Sequence, residues 1–247
     1  MKKNYKGIEI NTSKNTHETV FTFVSKNDPK ASVLDIPCGR GALAQRLEDN
    51  HYKVTSSDIV SNLFQLDPSR FVHSDLNKTL PFSDDSFDVV TCVDGIAHVE
   101  NIPHTIREFN RIIKANGSLI ISTPNISSLR SRFRYFLTGF HNKRKLPLNE
   151  STPTPEHLIN IIELPMLRYF LHTNNFKIIG LKTNRTKPIS WGYGILVPFF
   201  YLFSRFVFKR EKQDPSERRA NLTILNTLFT VPILFGETMV IHAKNTK

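Results

Sequence analysis

Two cysteines in 247 residues, Cys38 and Cys92, are too few for a disulfide scaffold. Both fall in or beside apolar stretches that read as buried strands, so two thiols in a reducing compartment are expected. There is no internal repeat and no low-complexity tract, which argues against a solenoid or a disordered linker. The opening Met-Lys-Lys-Asn-Tyr-Lys-Gly has no apolar run and does not read as a signal peptide. Acidic residues are scarce: 22 Asp+Glu against 33 Lys+Arg leave a net charge of +11. That excess points to an anionic partner, a membrane surface or nucleic acid, with solubility alone as the plainer explanation. The hydrophobic content of 39% supports an ordinary packed core. The length suits one α/β domain with an insertion better than two full domains.

What is present is organised around residues 33–41, Val-Leu-Asp-Ile-Pro-Cys-Gly-Arg-Gly. Apolar residues run into an acid, two glycines follow at alternate positions, and Leu43 and Leu47 then stand one helical turn apart. This is a buried strand, a tight turn and a helix. Glycines at such a turn let a ligand approach the backbone, and the helix start offers free N–H groups to negative charge. The third spaced glycine of the dinucleotide fingerprint and the Gly-Lys-Ser/Thr of the P-loop are both missing. With the acid at the strand's end, the turn favours a ligand that carries an amino group.

Through Asp35, Gly39 and Gly41 the stretch resembles the first motif of the class I S-adenosylmethionine (SAM)-dependent methyltransferases, hydrophobic-hydrophobic-Asp-x-Gly-x-Gly-x-Gly. Pro37 stands where that family usually has its first glycine, and its ring requires a negative φ there. The resemblance continues in order. Residues 53–57 read as a second strand ending at Asp58, an acid placed to accept from both ribose hydroxyls. A short third strand, 71–73, precedes Asp75 and Leu76, which the resemblance assigns to the adenine amino group and ring face. Residues 80–90, Leu-Pro-Phe-Ser-Asp-Asp-Ser-Phe-Asp-Val-Val, match the family's lead into its fourth strand. That strand, 87–93, opens onto Asp94-Gly95-Ile96-Ala97-His98-Val99-Glu100. The segment is similar to the one flanking the methionine end of the cofactor in bacterial quinone-type and related small-molecule O-methyltransferases. The resemblance therefore implies a cofactor set of Asp35, Ile36, Pro37, Cys38, Gly39, Gly41, Asp58, Ile59, Asp75, Leu76, Val93 and Asp94. Ala97 replaces an acid that some relatives use for a divalent cation, so no metal site is expected.

Around this frame, Asn15 and Glu18 read as a capping box for a helix whose apolar face is Val20, Phe21 and Val24. His17 either lines the site or is an exposed first-turn histidine, the second being favoured. Residues 1–14 read as a polar loop over the domain. Ile106, Phe109 and Ile113 form a helix face, with Arg107, Glu108, Arg111 and Lys114 towards solvent and Asn116-Gly117 as its stop. A fifth strand, 118–122, leads to Ile126, Leu129, Phe133, Leu137 and Phe140 on one face of another helix. Arg130 and Arg134, one turn apart, join Arg132 and residues 141–145 in a basic cluster. It is either a solvated face or a surface for anionic lipid or a phosphorylated substrate. The proline-rich stretch 146–157 is a loop, and its His157 is a candidate for the acceptor pocket. A helix carrying Met166, Tyr169 and Phe170 and a sixth strand, 176–182, follow, and the last strand is 237–243.

Between those last two strands lie about fifty residues, far above ordinary loop length. Residues 189–208 are densely aromatic, 209–220 are polar and net basic, and 222–235 are apolar again. Pro198, two glycines and Arg205 interrupt the first run, and the second is too short to span a bilayer. A helical pair lying on a membrane is favoured over an extra helical layer, a substrate lid or a homodimer interface. The expected organisation is an N-terminal segment and helix (1–30), a SAM-binding domain (31–185), an apolar and basic helical insertion (186–235) and the last strand (236–247). The expected fold is α/β and Rossmann-like: a seven-stranded, mostly parallel sheet with an antiparallel last strand and helices on both faces.

The resemblance implies methyl transfer from SAM, with S-adenosylhomocysteine as product, to an oxygen or nitrogen of a small-molecule, lipid or lipid-linked acceptor. His98 is the candidate base, or else it merely holds its loop. A nucleic-acid methyltransferase suits the charge but is disfavoured, because no Asp/Asn-Pro-Pro-aromatic tetrad follows the fourth strand. A non-catalytic SAM-fold adaptor at a membrane is the other alternative. A cytoplasmic protein, peripheral on the membrane's cytoplasmic face, is expected.

Overall fold

The computed structural model describes residues 4–210 and 214–247. Residues 1–3, and the part of the polar stretch at 211–213, lie outside the described residues. The chain opens with a hairpin of β1 (Asn4–Tyr5) and β2 (Ile8–Glu9) and continues through α1 (Thr16–Val24), β3 (Ser32–Asp35), α2 (Ala42–Glu48) and β4 (Lys53–Asp58). After β5 (Phe71–His73) and β6 (Phe87–Val93) come α3 (Ile102–Ile112), β7 (Ile113–Pro124), α4 (Leu129–Thr138), α5 (Leu164–His172) and β8 (Phe176–Thr183). The helices α6 (Pro188–Gly192), α7 (Val197–Arg210), α8 (Pro215–Leu228) and α9 (Val231–Phe235) precede the last strand, β9 (Thr238–Asn245).

Seven strands form one sheet in the order β5-β4-β3-β6-β7-β9-β8. Every pair is parallel except those of β9, which runs antiparallel to both β7 and β8. This is the expected sheet. Its strands read as continuous apolar runs because both faces are covered. Val33, Val89, Ile120 and Val240 enter one core with Val20, Phe23, Leu43 and Leu47 of α1 and α2. Their neighbours Leu34, Val90, Leu119, Ile121, Met239 and Ile241 enter the other core, with Ile106, Phe109, Leu167 and Leu171 of α3 and α5. The two-residue period of a strand sorts them. Strand order reverses between β3 and β6, so the crevice expected of such a sheet opens at the C-terminal ends of those two strands.

Several local expectations are corrected. The N-terminal stretch is a hairpin, held to the end of α2 by Tyr5 and Lys6 on Asp49 (2.7 and 2.8 Å) and by Arg46 over the Tyr5 ring. Asn15 sits at φ 65° and its side chain caps nothing, so no capping box forms; Glu18 pairs with Arg46 instead. His17 is buried, not exposed. The helix α3 stops at Ile112 and passes straight into β7, so Asn116-Gly117 is an irregularity inside a strand where the pairing with β6 shifts register. Glu108 is buried, accepting from the Leu80 amide at 2.8 Å and from Arg111. In α4 only Leu129 of the expected apolar face is buried within the helix, while Phe133 and Leu137 are exposed. The reason is geometric: α4 projects beyond the small cluster of Leu129, Leu234 and Phe235 that receives its first turn.

The described residues of the segment 186–235 are mainly helical, and a bridge between Thr186 and Gly236 closes its base. Gly192 and Pro198 do not interrupt the run as expected. They fall at joints, where α6 gives way to a 3-10 turn (Tyr193–Leu196) and α7 begins. Pro188–Arg210 is therefore a single 23-residue helical run, long and apolar enough by length and composition to cross a membrane.

Candidate active site

The C-terminal ends of β3, β4 and β6 open onto a cleft of ≈ 960 Å³. β3 delivers Asp35 to its floor, where Oδ1 accepts from Thr91 Oγ1 at 2.9 Å. The second oxygen, Oδ2, is buried and has no hydrogen-bond donor. Burial pushes this carboxyl up to about 7, against the pull of the Thr91 hydroxyl and with a small push from the Asp58 charge. Burial also pushes the Cys38 thiol up, which favours its protonated form in the turn.

The turn from β3 to α2 needs its glycines. Gly41 has φ 90°, and a Cβ there would meet Leu66 and Phe64 at 3.0 Å. Gly39 has φ 53° with nothing within 4 Å of where its Cβ would be, which leaves its backbone open to a ligand. The Gly39 amide donates to Asp58 Oδ2 at 2.8 Å, while the Val60 amide donates to Oδ1 at 3.0 Å. Asp58 thus fixes the turn from the end of the neighbouring strand. Pro37, joined to Ile36 by a cis peptide bond, is met by Gly95 from the loop after β6. A Cβ on Gly95 would lie 2.2 Å from Pro37 Cδ, so the proline is matched by a glycine across the cleft floor.

Asp75 and Leu76 form the next wall, with Asp75 Oδ1 accepting from the Asn77 amide at 2.8 Å. Asp94 is held at φ 56° and accepts from Ser122 Oγ at 2.8 Å. Burial raises its carboxyl above the ordinary range, although the Ser122 hydrogen bond opposes this. His98 lies half-buried in the same wall, with Nδ1 3.0 Å from the His157 carbonyl oxygen. A carbonyl only accepts, so Nδ1 donates here, and in the neutral form of the ring Nε2 is then the acceptor. Residues 153–157 and Ile159 cover this side. Asn160 anchors them, its amide donating to Ala97 O at 3.0 Å and its Nδ2 to Val99 O at 2.7 Å and Glu100 O at 3.0 Å.

Of the residues singled out from the sequence, Asp35, Ile36, Pro37, Cys38, Gly39, Asp58, Ile59, Asp75, Leu76, Val93, Asp94, His98 and His157 all line the cleft. Gly41 shapes the turn from behind. Arg130 does not reach the cleft; it lines a separate cavity of ≈ 310 Å³ with Lys143, Lys145, Lys187 and Glu237, and Arg134 lines neither. Both arginines sit on α4, which leaves the sheet beyond β7 and away from β3 and β4. The sequence reading missed Glu9, Asn11 and Thr12, which the N-terminal hairpin brings to the cleft, because two-residue strands carry no periodicity. Among the described residues no three His, Cys, Asp or Glu side chains gather as a metal site.

The family model described as "Methyltransferase domain" matches residues 12–181. The ubiquinone biosynthesis O-methyltransferase of Rickettsia conorii is 31% identical over 117 residues, 44% of this chain and 40% of that protein. The demethylmenaquinone methyltransferase of Chlorobaculum parvum is 27% identical over 180 residues, 69% of this chain and 73% of that protein. The match to the Rickettsia protein thus spans well under two thirds of that relative's length. Among solved structures, a SAM-dependent methyltransferase from Archaeoglobus fulgidus superposes with a TM-score of 0.58 at 18% identity, covering 93% of this chain and 92% of that one. One from Methanosarcina mazei gives 0.53 at 18% identity, covering 92% and 96%. At these identities the structures speak for the fold alone.

Proposed function

Since the chain belongs to the class I SAM-dependent methyltransferases, we propose that it transfers a methyl group from SAM to a hydroxyl oxygen of a small amphiphilic acceptor. The cleft fits the cofactor. The buried, donor-less Oδ2 of Asp35 suits an ammonium group, and the open backbone at Gly39 suits a close-lying ligand. Each oxygen of Asp58 accepts one backbone N–H and keeps a lone pair for a ribose hydroxyl. Asp75 and Leu76, which line the same cleft, are the residues this reading gives to the adenine edge and face. When bound, SAM supplies a methyl group already activated on sulfonium and its own leaving group. What remains for the protein is positioning, exclusion of water and removal of the acceptor's proton.

The observation that carries oxygen as the acceptor atom is the His98 hydrogen bond. The His157 carbonyl fixes the tautomer, so Nε2 is held as a proton acceptor at the wall of the cleft. An amphiphilic acceptor is supported by the relatives, two of which are named for ubiquinone and menaquinone. The exposed apolar helices rooted at the same end of the strands support it too. The test is turnover of SAM with a prenylated quinol bearing a ring hydroxyl, read as S-adenosylhomocysteine release. His98→Gln is expected to lower kcat by about 10²–10⁴-fold with little change in the KM for SAM. Unimpaired turnover in His98→Gln would refute base-assisted O-methylation.

A further inference from the structure

We propose that the outer stripe of α7, together with the exposed end of α4, docks on an anionic membrane with α7 lying in the plane of the interface. Apolar residues occupy both sides of α7. Val197 and Phe200 turn inward onto the cluster of Leu129, Leu234 and Phe235, and the Tyr201 ring meets Phe229 edge-on at 5.1 Å. The opposite side carries Phe199, Leu202, Phe203 and Phe206, at helical spacing and 60–66% exposed, continued backward by Ile195 at 85%. Among the described residues this stripe is left exposed. Tyr135, Phe136 and Leu137 of α4 are exposed as well, and Phe133 ties α4 to the 3-10 turn that leads into α7 through a ring contact with Tyr193 at 5.5 Å.

The charge around the stripe selects the occupant. α7 contains no acid, and Arg205, Lys209 and Arg210 are exposed along and beyond the stripe, with Arg218 and Arg219 exposed on α8. At the roots of α4 and α6, the ≈ 310 Å³ cavity is lined by Arg130, Lys143, Lys145 and Lys187. The cavity's single acid, Glu237, is already held by Arg185 and Lys187. A second copy of the chain would bring the same positive fringe against itself, whereas an anionic leaflet complements it. A single crossing is excluded by connectivity. β8 and β9 are neighbours and Thr186 bridges Gly236, so the chain returns to the edge it left. The returning helix α8, 14 residues or about 21 Å, falls short of a hydrocarbon core of about 30 Å.

The insertion leaves from the end of β8 and returns at Thr238, which pairs with Pro124 at the end of β7. It therefore stands at the same end of the strands as the cleft, on the β8 side of the sheet. The surface would deliver the amphiphilic acceptor of the proposed reaction, and in that respect the inference rests on that reading. Vesicle binding itself does not depend on the chemistry.

The experiment is sedimentation of the whole chain with vesicles of phosphatidylcholine alone and of phosphatidylcholine with phosphatidylglycerol, at low and high salt. Binding to the anionic vesicles that weakens with salt is expected. Replacing Phe199, Phe203 and Phe206 by Ser should abolish it, since each buried aromatic contributes more than about tenfold. Replacing Arg205, Lys209 and Arg210 by Gln should cost about fivefold per charge, on the anionic vesicles only. All six residues are exposed, so thermal midpoint and SAM affinity are expected to stay at the wild-type values in both variants. Indifference to both vesicle types overturns the proposal, and so does a dimer that the Phe→Ser variant dissociates while vesicle binding is absent. Salt-sensitive vesicle binding without methyl transfer would overturn the reaction and leave the docking surface standing.

Discussion

Asp35 is expected to couple cofactor binding to a proton. Its carboxyl is buried and pushed up to about 7, with one oxygen donor-less. In the unfolded chain it titrates near 3.9. The native state therefore holds a proton that the unfolded chain has lost, across a window from about pH 4 to 7. Its contribution to stability is present in full below that window and is lost as pH rises through about 7, on the order of 4 kcal/mol in all. A cationic amino group beside Oδ2 reverses this preference, because an opposite charge favours the ionised form. Below about pH 7, binding of SAM must then release the proton, and its affinity should rise up to about tenfold per pH unit before flattening. Above about pH 8 affinity falls again as the ligand's own amino group deprotonates.

The assay is titration calorimetry of SAM in buffers of different ionisation enthalpy, which reads the released proton directly. Asp35→Asn keeps an oxygen to accept from Thr91 but presents an amide N–H₂ where the anionic oxygen stood. This variant should bind SAM about tenfold or more weakly, a charge-assisted contact being worth roughly 1.5–3 kcal/mol. It should release no proton, and without cofactor it should be more stable than the wild type above neutral pH. Proton release unchanged in Asp35→Asn, or an affinity that does not vary from about pH 5 to 7, would refute the reasoning.

Two other substitutions probe the same floor. Asp58→Ala removes the acceptor of the Gly39 and Val60 amides as well as the ribose contact, so SAM affinity should fall about tenfold or more and stability by roughly 1–3 kcal/mol. Unchanged affinity by calorimetry would show that the end of β4 does not hold the ribose. Gly95→Ala drives a methyl group to 2.2 Å from Pro37 Cδ and 3.0 Å from Cys92 Sγ, and neither neighbour has a flexible end to move. Overpacking of this kind costs about 1–3 kcal/mol, so a thermal midpoint that does not fall in Gly95→Ala contradicts the packing of Pro37 on Gly95.

The cofactor half was legible because its signals are local and redundant. Val33 and Leu34, or Val89 and Val90, go to opposite cores, so a strand buried on both faces reads as an unbroken apolar run. Asp35 and Asp58 mark the strand ends, and the turn between them cannot be made without Gly41. Where reading failed, distant partners had decided the outcome. Glu108 looks solvent-facing on a helical wheel, yet it is buried to receive the Leu80 amide, 28 residues away. Asn15 and Glu18 have the residue types of a capping box, but the chain enters α1 through φ 65° and the box cannot close. Gly192 and Pro198 looked like breakers of a long helix because a sequence does not show that they stand at its joints. The basic face of α4 could not be placed, since only the packing of Leu129 shows which way the helix leaves the sheet.

The hydrogen bond between His98 and His157 ties two parts of the site that sequence separates by 59 residues. His98 follows β6 in the wall, whereas His157 belongs to the segment that covers the cleft. Because the carbonyl that selects the tautomer comes from the cover, Nε2 is fixed as an acceptor only while the cover is seated. Asn160 seats it with three hydrogen bonds to Ala97, Val99 and Glu100, the same turn that carries His98. Under the proposed function, exclusion of water and preparation of the base would therefore be one structural event. An acceptor that entered beneath residues 153–159 would meet a base already in the tautomer that can take its proton. The roles would then divide by element: the ends of β3 and β4 for the cofactor, and the turn after β6 with its cover for the proton. The helices of the insertion, at the same end of the strands, would be left to govern which acceptors arrive.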